Sequence, residues 1–314
     1  MAHGHDQHGH DGHGGHGHGG QGHGGHGGHG HHHDHSDLDW ADMIPHLERN
    51  ASVYAPMYTE ALGWLRAARA GGTGLIVDAG SGPAAVSVQL AAAFPEARIV
   101  AADPEEALLA RATERAAEEG LADRISTLRV ELPDDIDALP SADLIWAARS
   151  LHHVGDQRAA VAALAGRLAP GGTLALVEGG LPWRSLPRDF GIGRPGLHAR
   201  ADAIEEDWFA GMRSSLPGAK EDAENWTALL TDAGLTAATS RTFLLDLPAP
   251  LSAGGRELVV ELWGRRREMF ADDLSAEDLA TLDRLLDPAD PQSLHRRDDV
   301  FLLTAHTVHT AVKG

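Results

Sequence analysis

Several groups of residues in the 314-residue chain have the types and order needed for chemistry on an organic ligand. Asp78-Ala-Gly80-Ser81-Gly82 follows the apolar run Leu75 to Val77, and its glycines let the backbone turn sharply without Cβ clashes. Asp103 closes a second apolar run, Ile99 to Ala102. His152 and His153 follow a third run, Ala142 to Ala148, and Glu178 ends a fourth, Leu174 to Val177. Turn amides together with the Asp103 carboxylate can grip two ends of one nucleotide-like ligand. An imidazole at His152 or His153 can orient a hydroxyl or remove its proton near neutral pH, and Glu178 is placed to contact a substrate, or else to serve as a helix cap or a solvated strand end.

The elements that must position these groups follow from the pattern. Val86, Leu90 and Phe94 recur near helical spacing after the glycine turn, so residues 75–103 read as strand, turn, helix, strand. A right-handed crossover makes the two strands parallel and brings Asp103 to the same carboxyl edge as the turn. Gly80-Ser-Gly82-Pro-Ala-Ala85 satisfies a dinucleotide-binding pattern with alanine last, and Asp103 stands where a ribose-binding acid is expected. Asp78 argues the other way, because a carboxylate poorly serves a pyrophosphate and suits a cationic amine. Pro104 is suited to the first position of a helix that Asp103 would cap, ending at Gly120. Ile125 to Val130 forms the next strand, followed by ELPDDIDALP. The apolar run at 142–148 suits the middle of a parallel sheet. Val161, Leu164 and Leu168 line a helix closed by Pro170-Gly-Gly172 before the strand at 174–177. Strands alternating with helices define a doubly wound α/β fold.

Asp78-Ala-Gly80-Ser-Gly82, Asp103, Asp143-Leu-Ile-Trp before Leu151-His152-His153, and Leu168-Ala-Pro-Gly-Gly172-Thr-Leu-Ala-Leu-Val-Glu178 together resemble a class I S-adenosylmethionine-dependent methyltransferase. The resemblance covers residues 72–180 well and the remainder loosely. It implies a Rossmann-like seven-stranded sheet whose last strand, within Phe301 to Val312, runs antiparallel, with the sixth near Thr242 to Leu247. It also implies that Asp78, Gly80, Ser81 and Gly82 hold the methionine moiety of S-adenosylmethionine and that Asp103 takes the ribose hydroxyls. The acid that meets the adenine amine falls on Asp135 by spacing to Leu139-Pro140, or on Glu131 by strand-end position. The family usually has a third glycine where this chain has Ala84, whose methyl is tolerated at negative φ but would narrow the cleft. The activity implied is methyl transfer to a small molecule. Alternatives are an NAD(P)-dependent oxidoreductase, disfavoured by Asp78, and a cofactor-binding regulator without catalysis.

Three regions are expected: a disordered His/Gly-rich tail at 1–35, an N-terminal helical element at 36–70 and a methyltransferase domain at 71–314. In the helical element Trp40, Met43, Ile44 and Leu47 form one apolar series, and Met57, Ala61, Leu62 and Leu65 another; Pro56 is expected to divide them into two helices that cover the open sheet edge. Within the domain, residues 181–225 combine Trp183, Phe190, Trp208 and Phe209 with glycines and prolines, as suits a variable cover over a pocket. Residues 253–286 read as helical, with a capping pattern at Ser275 and Asp278 and a basic triplet, Arg265 to Arg267, on a solvated face.

The net charge of −20 belongs to the body of the chain, since residues 1–35 hold only three Asp and no Lys, Arg or Glu. Such a surface disfavours nucleic acid or an anionic membrane as partner and leaves a small molecule as the default. With no cysteine, thiolate nucleophiles and disulfides are excluded. The first 35 residues have no apolar core of a secretory signal, so a cytoplasmic location is expected. They carry His3, His5, His8, His10, His13, His16, His18, His23, His26, His29, His31, His32, His33 and His35, mostly separated by glycine. A flexible run of imidazoles is expected to gather around Zn, Ni or Cu in several interchangeable arrangements, with no part in catalysis.

Overall fold

Parallel strands and their crossover helices follow the apolar runs of the chain in order. The computed structural model describes residues 40–69, 71–221 and 223–314. The strands are β1 (Leu75–Ala79), β2 (Arg98–Asp103), β3 (Ile125–Arg129), β4 (Ala142–Ala148), β5 (Leu168–Arg184), β6 (Thr236–Leu247) and β7 (Leu302–Val312). The helices are α1 (Trp40–Ala68), α2 (Ala85–Ala93), α3 (Glu106–Glu118), α4 (Gln157–Gly166), α5 (Leu197–Ser215), α6 (Trp226–Asp232), α7 (Ala253–Met269) and α8 (Ala276–Leu286).

The strands form one seven-stranded sheet in the order β3-β2-β1-β4-β5-β7-β6. Strands β1 to β5 run parallel to one another, and β7 inserts antiparallel between β5 and β6. Register pairs Ala79 with Ala102 and Ala147, so the ends of β1, β2 and β4 lie side by side. Side-chain alternation divides the core in two. Ile76, Leu144, Trp146, Ala175 and Val177 face the layer containing α1, α2, α7 and α8. Val77, Ile145, Ala147, Leu174 and Leu176 face the layer containing α4 and α6.

Three local expectations are corrected. α1 runs unbroken through Pro45 and Pro56. Losing a helical N–H to an internal proline costs about 3 kcal/mol. Tyr54, Met57, Tyr58, Ala61, Leu62 and Leu65 nevertheless keep one buried face on both sides of Pro56, and burying several large side chains outweighs that cost. Pro170-Gly-Gly172 does not close a helix: α4 ends at Gly166, and the three residues lie inside β5, where pairing with β4 jumps from Ala142–Leu168 to Leu144–Thr173. Asp103 does not cap α3, which starts at Glu106 after Glu105; its Oδ1 accepts the Glu105 N–H at 3.0 Å in a turn.

Candidate active site at the carboxyl edge of the sheet

The ends of β1, β2 and β4 open into a cavity of about 530 Å3, within the usual range of roughly 300 to 1,000 Å3 for small-molecule and cofactor sites. Asp78, Gly80, Ser81, Gly82, Asp103, Glu131, His152 and His153 all line it. The glycine turn is tied to β2 by its own amides: Gly80 and Ser81 N–H groups donate to the Ala102 carbonyl at 2.8 and 3.0 Å. Gly80 has φ +75°, and a Cβ there would lie 2.7 Å from the Ser150 Cβ. No side chain fits where β1 and the segment after β4 approach so closely.

Ala84 adopts φ +58°, not the negative φ at which a methyl is comfortable. It is fully buried and is not among the residues lining the cavity, so its methyl enters the core and does not narrow the cleft. The backbone keeps the left-handed turn usually given to glycine, at a cost of about 1–2 kcal/mol.

Asp78 is 2% exposed, and the Ser87 hydroxyl donates to its Oδ2 at 2.6 Å. Burial pushes its carboxyl up to about 7; the Ser87 hydrogen bond pulls it back and the Asp103 charge adds to the rise. Asp103 Oδ2 accepts the Gly82 N–H at 2.8 Å, so this carboxylate anchors the glycine turn as well as facing the cavity. Burial raises its pKa too, opposed by the Glu105 and Gly82 amides. Each carboxylate oxygen retains acceptor capacity beyond its one backbone bond. Glu131 lines the cavity, whereas Asp135 does not: its Oδ2 accepts the Glu131 N–H at 3.2 Å.

His152, His153 and Glu178 come together as one unit. Glu178 is 5% exposed; its Oε1 accepts the Leu151 N–H at 2.9 Å and its Oε2 lies 2.9 Å from His152 Nδ1. A carboxylate at Nδ1 fixes the proton there and leaves Nε2 as the basic nitrogen. The two imidazole centroids are 4.2 Å apart, and Phe209 from α5 lies 5.9 Å from His152. Arg213 clamps the same turn by donating to the His152 and Val154 carbonyls at 2.9 and 2.6 Å.

α1 walls the cavity with Trp40, Met43, His46, Leu47 and Asn50, as a cover of the sheet edge should. Trp64 packs instead on Phe243 at 5.7 Å. The 181–225 segment divides between roles: Trp183 lines a second cavity, while Phe190 is buried under the Arg297 guanidinium. The basic triplet is not a solvated face. Arg265 lines both cavities, Arg266 is 4% exposed and Arg267 pairs with Asp283 at 2.9 Å. Together with Arg149 at the end of β4, Arg265 and Arg266 are the cavity residues missed by sequence reasoning. The available signal was the triplet itself, a concentration of cations in an acidic chain. Among the described residues no group of three or more His, Asp or Glu side chains could hold a metal, and the histidines of 1–35 lie outside the described residues.

This strand order, with an acid near the end of β1, a glycine turn and an acid ending β2, is that of an α/β methyltransferase fold. Residues 77–174 match the family model described as a methyltransferase domain. A Variovorax paradoxus trans-aconitate 2-methyltransferase is 38% identical over 104 residues, 32% of this chain and 37% of that protein. An uncharacterized Synechococcus protein is 40% identical over 99 residues, 32% of this chain and 24% of that protein. The matched segments thus span about a quarter to a third of the curated relatives' own length. Among solved structures, the Haemonchus contortus phosphoethanolamine N-methyltransferase 2 bound to phosphomonomethylethanolamine and S-adenosylhomocysteine aligns with a TM-score of 0.47 and 16% identity, over 88% of this chain and 59% of that one.

Proposed function

We propose that the chain transfers a methyl group from S-adenosylmethionine to a small-molecule acceptor at the mouth of the 530 Å3 cavity. The observation that carries this reading is the convergence of Asp78, the Gly80–Gly82 turn and Asp103 on one wall of that cavity, at the edge where β1, β2 and β4 end. The residues suit the cofactor: a buried carboxyl for an ammonium, an acceptor pair for vicinal hydroxyls, and between them a glycine turn without side-chain bulk, held in shape by its own amides. When bound, S-adenosylmethionine supplies an activated sulfonium methyl. Asp78 and the turn would hold its methionine end and Asp103 its ribose. Glu131 is the better candidate for the adenine amine, since Asp135 is engaged with the Glu131 backbone.

The chain's own work is alignment, exclusion of water and proton removal. Glu178 holds His152 so that Nε2 can take the proton of an acceptor O–H or N–H. Removal of that proton by His152 leaves the acceptor atom an electron pair, which the sulfonium methyl of S-adenosylmethionine, held by Asp78 and Asp103, would be there to receive. The positive charge gained by His152 is stabilised by Glu178. The name of the Variovorax relative assigns it a small organic acceptor, consistent with this class of substrate.

Incubation of the full chain with methyl-labelled S-adenosylmethionine and a broad set of hydroxyl and amine acceptors should give a labelled product. His152→Gln should lower kcat by roughly 10²–10⁴-fold, the typical worth of a general base, with little change in cofactor affinity. Cofactor binding without transfer to any acceptor would favour a regulatory role. For residues 1–35 we propose transition-metal binding by the interspersed imidazoles, separate from the cleft.

A further inference from the structure

The cleft adjoins a second cavity of about 220 Å3, with His46, Asn50, Arg149 and Arg265 as shared walls. Three arginines, Arg149, Arg265 and Arg266, line it against one carboxylate, Glu205. In a chain with 26 basic and 46 acidic residues, such a pocket runs against the composition. Among the described residues neither Arg149 nor Arg265 forms an ion pair; the guanidinium of Arg265 rests on Met43 Sδ at 2.7 Å. Arg266 is 4% exposed and pairs through Nη2 with Asp202 and Glu205, yet its Nε and Nη1 have no hydrogen-bond partner. Buried donors left unmatched weaken a fold, and of the three only Arg266 is held by carboxylates, with its guanidinium also over the Trp183 and Trp263 rings at 4.3 and 5.5 Å.

Arg149 adds a second cost. Its φ of +53° is the left-handed region, unfavourable for any residue with a Cβ, and its N–H is held there by the Val177 carbonyl at 3.0 Å. The strained turn delivers the guanidinium to the boundary of both cavities, and its charge reaches Tyr54, Tyr58 and His306. The remaining walls are flat and largely apolar: Tyr54, Phe270 and Trp183, with the Arg266 guanidinium 4.3 Å above the Trp183 ring.

We propose that this cavity is a carboxylate subsite and that the methyl acceptor is a small organic acid. Arg149 and Arg265 hold its carboxylate, Arg266 contributes donors from the wall, and Tyr54, Trp183 and Phe270 take its apolar body. The planar guanidinium forks match a flat carboxylate in kind, and the flat apolar walls of Tyr54 and Phe270 match a small organic body better than a bare inorganic anion. The carboxylate serves as a handle; the nucleophile is a separate group directed toward His152. This assignment rests on the methyl-transfer reading, and its test separates the two.

The test is calorimetric titration of benzoate and succinate into the full chain saturated with S-adenosylhomocysteine, with methyl benzoate and inorganic phosphate as comparisons. Saturable carboxylate binding is expected, without comparable binding of the ester. Arg265→Gln and Arg149→Gln should each weaken it roughly ten- to hundredfold, the worth of a charge-assisted hydrogen bond. Arg266 is unsuited to the test, because replacing it would strand Asp202 and Glu205. Equal binding of ester and acid, preference for phosphate, no carboxylate binding at millimolar concentration, or unaltered affinity in both variants would overturn the assignment. If S-adenosylhomocysteine itself fails to bind, the methyl-transfer reading fails, and the same titrations into the cofactor-free chain still decide the anion site.

Discussion

Asp78 gives the cleft a pH signature with a definite sign. Its carboxyl is raised above the ordinary value, chiefly by burial, to about 7. A carboxyl raised on folding stabilises the cofactor-free protein at pH below the unfolded value, and that contribution is lost as pH rises through about 7. A cationic amine reverses the preference, because only the ionised carboxylate attracts it. S-adenosylhomocysteine affinity should therefore rise with pH through that value, by up to about tenfold per unit on its acid side, with a proton released on binding. Calorimetry in buffers of different ionisation enthalpy measures both effects. Asp78→Asn should flatten the profile; an unchanged profile would remove Asp78 from the amine site. At this scale the sequence was informative where strand ends deliver acids to one edge. It showed the cationic triplet but not that Arg265 and Arg266 of α7 meet Arg149, just after β4, since they come together only through tertiary packing. Consecutive helical positions also point in different directions, so one triplet supplies a cavity wall, a buried cation and the Asp283 pair.

The turn between β1 and α2 is where element geometry and ligand binding are hardest to separate. Gly80 and Gly82 both have positive φ, but only at Gly80 would a Cβ collide, with Ser150. Gly80→Ala should carry the left-handed penalty of about 1–2 kcal/mol plus the displacement of Ser150, whose hydroxyl donates to the Ala79 carbonyl at 3.2 Å. Gly82→Ala should carry only the first. Thermal melts should place Gly80→Ala below Gly82→Ala, by roughly 2–4 °C for each additional kcal/mol. Equal melting temperatures would mean that β4 yields easily and that the approach of the two strand ends is not a constraint. Buried parallel strands were readable because apolar runs report them, whereas the length of β5 was not, because Pro170-Gly-Gly172 looks like a terminator and forms an irregularity inside a strand. The continuity of α1 was equally hidden, since proline chemistry predicts a break and only the buried face on both sides opposes it.

At the scale of the whole chain, the sequence joins an acidic body that holds a cationic chamber to a histidine-rich segment of different chemistry. No helix among the described residues is long and apolar enough to cross a membrane. If metal binding belongs to residues 1–35, deleting them should abolish most Zn, Ni or Cu uptake by calorimetry. Uptake by the full chain should fall as pH drops below the ordinary histidine range near 6.5. Metal uptake that survives deletion would assign the metal to the folded body. The central claim is narrower: the edge formed by Asp78, the glycine turn and Asp103 holds the cofactor. Its most direct test is titration of S-adenosylhomocysteine into the full chain and Asp103→Asn, with folding checked by circular dichroism. The account predicts one saturable site in the micromolar range, weakened roughly ten- to hundredfold in the variant by loss of a charge-assisted acceptor while the fold is kept. No saturable binding by the full chain, or equal affinity in the two folded proteins, would contradict it.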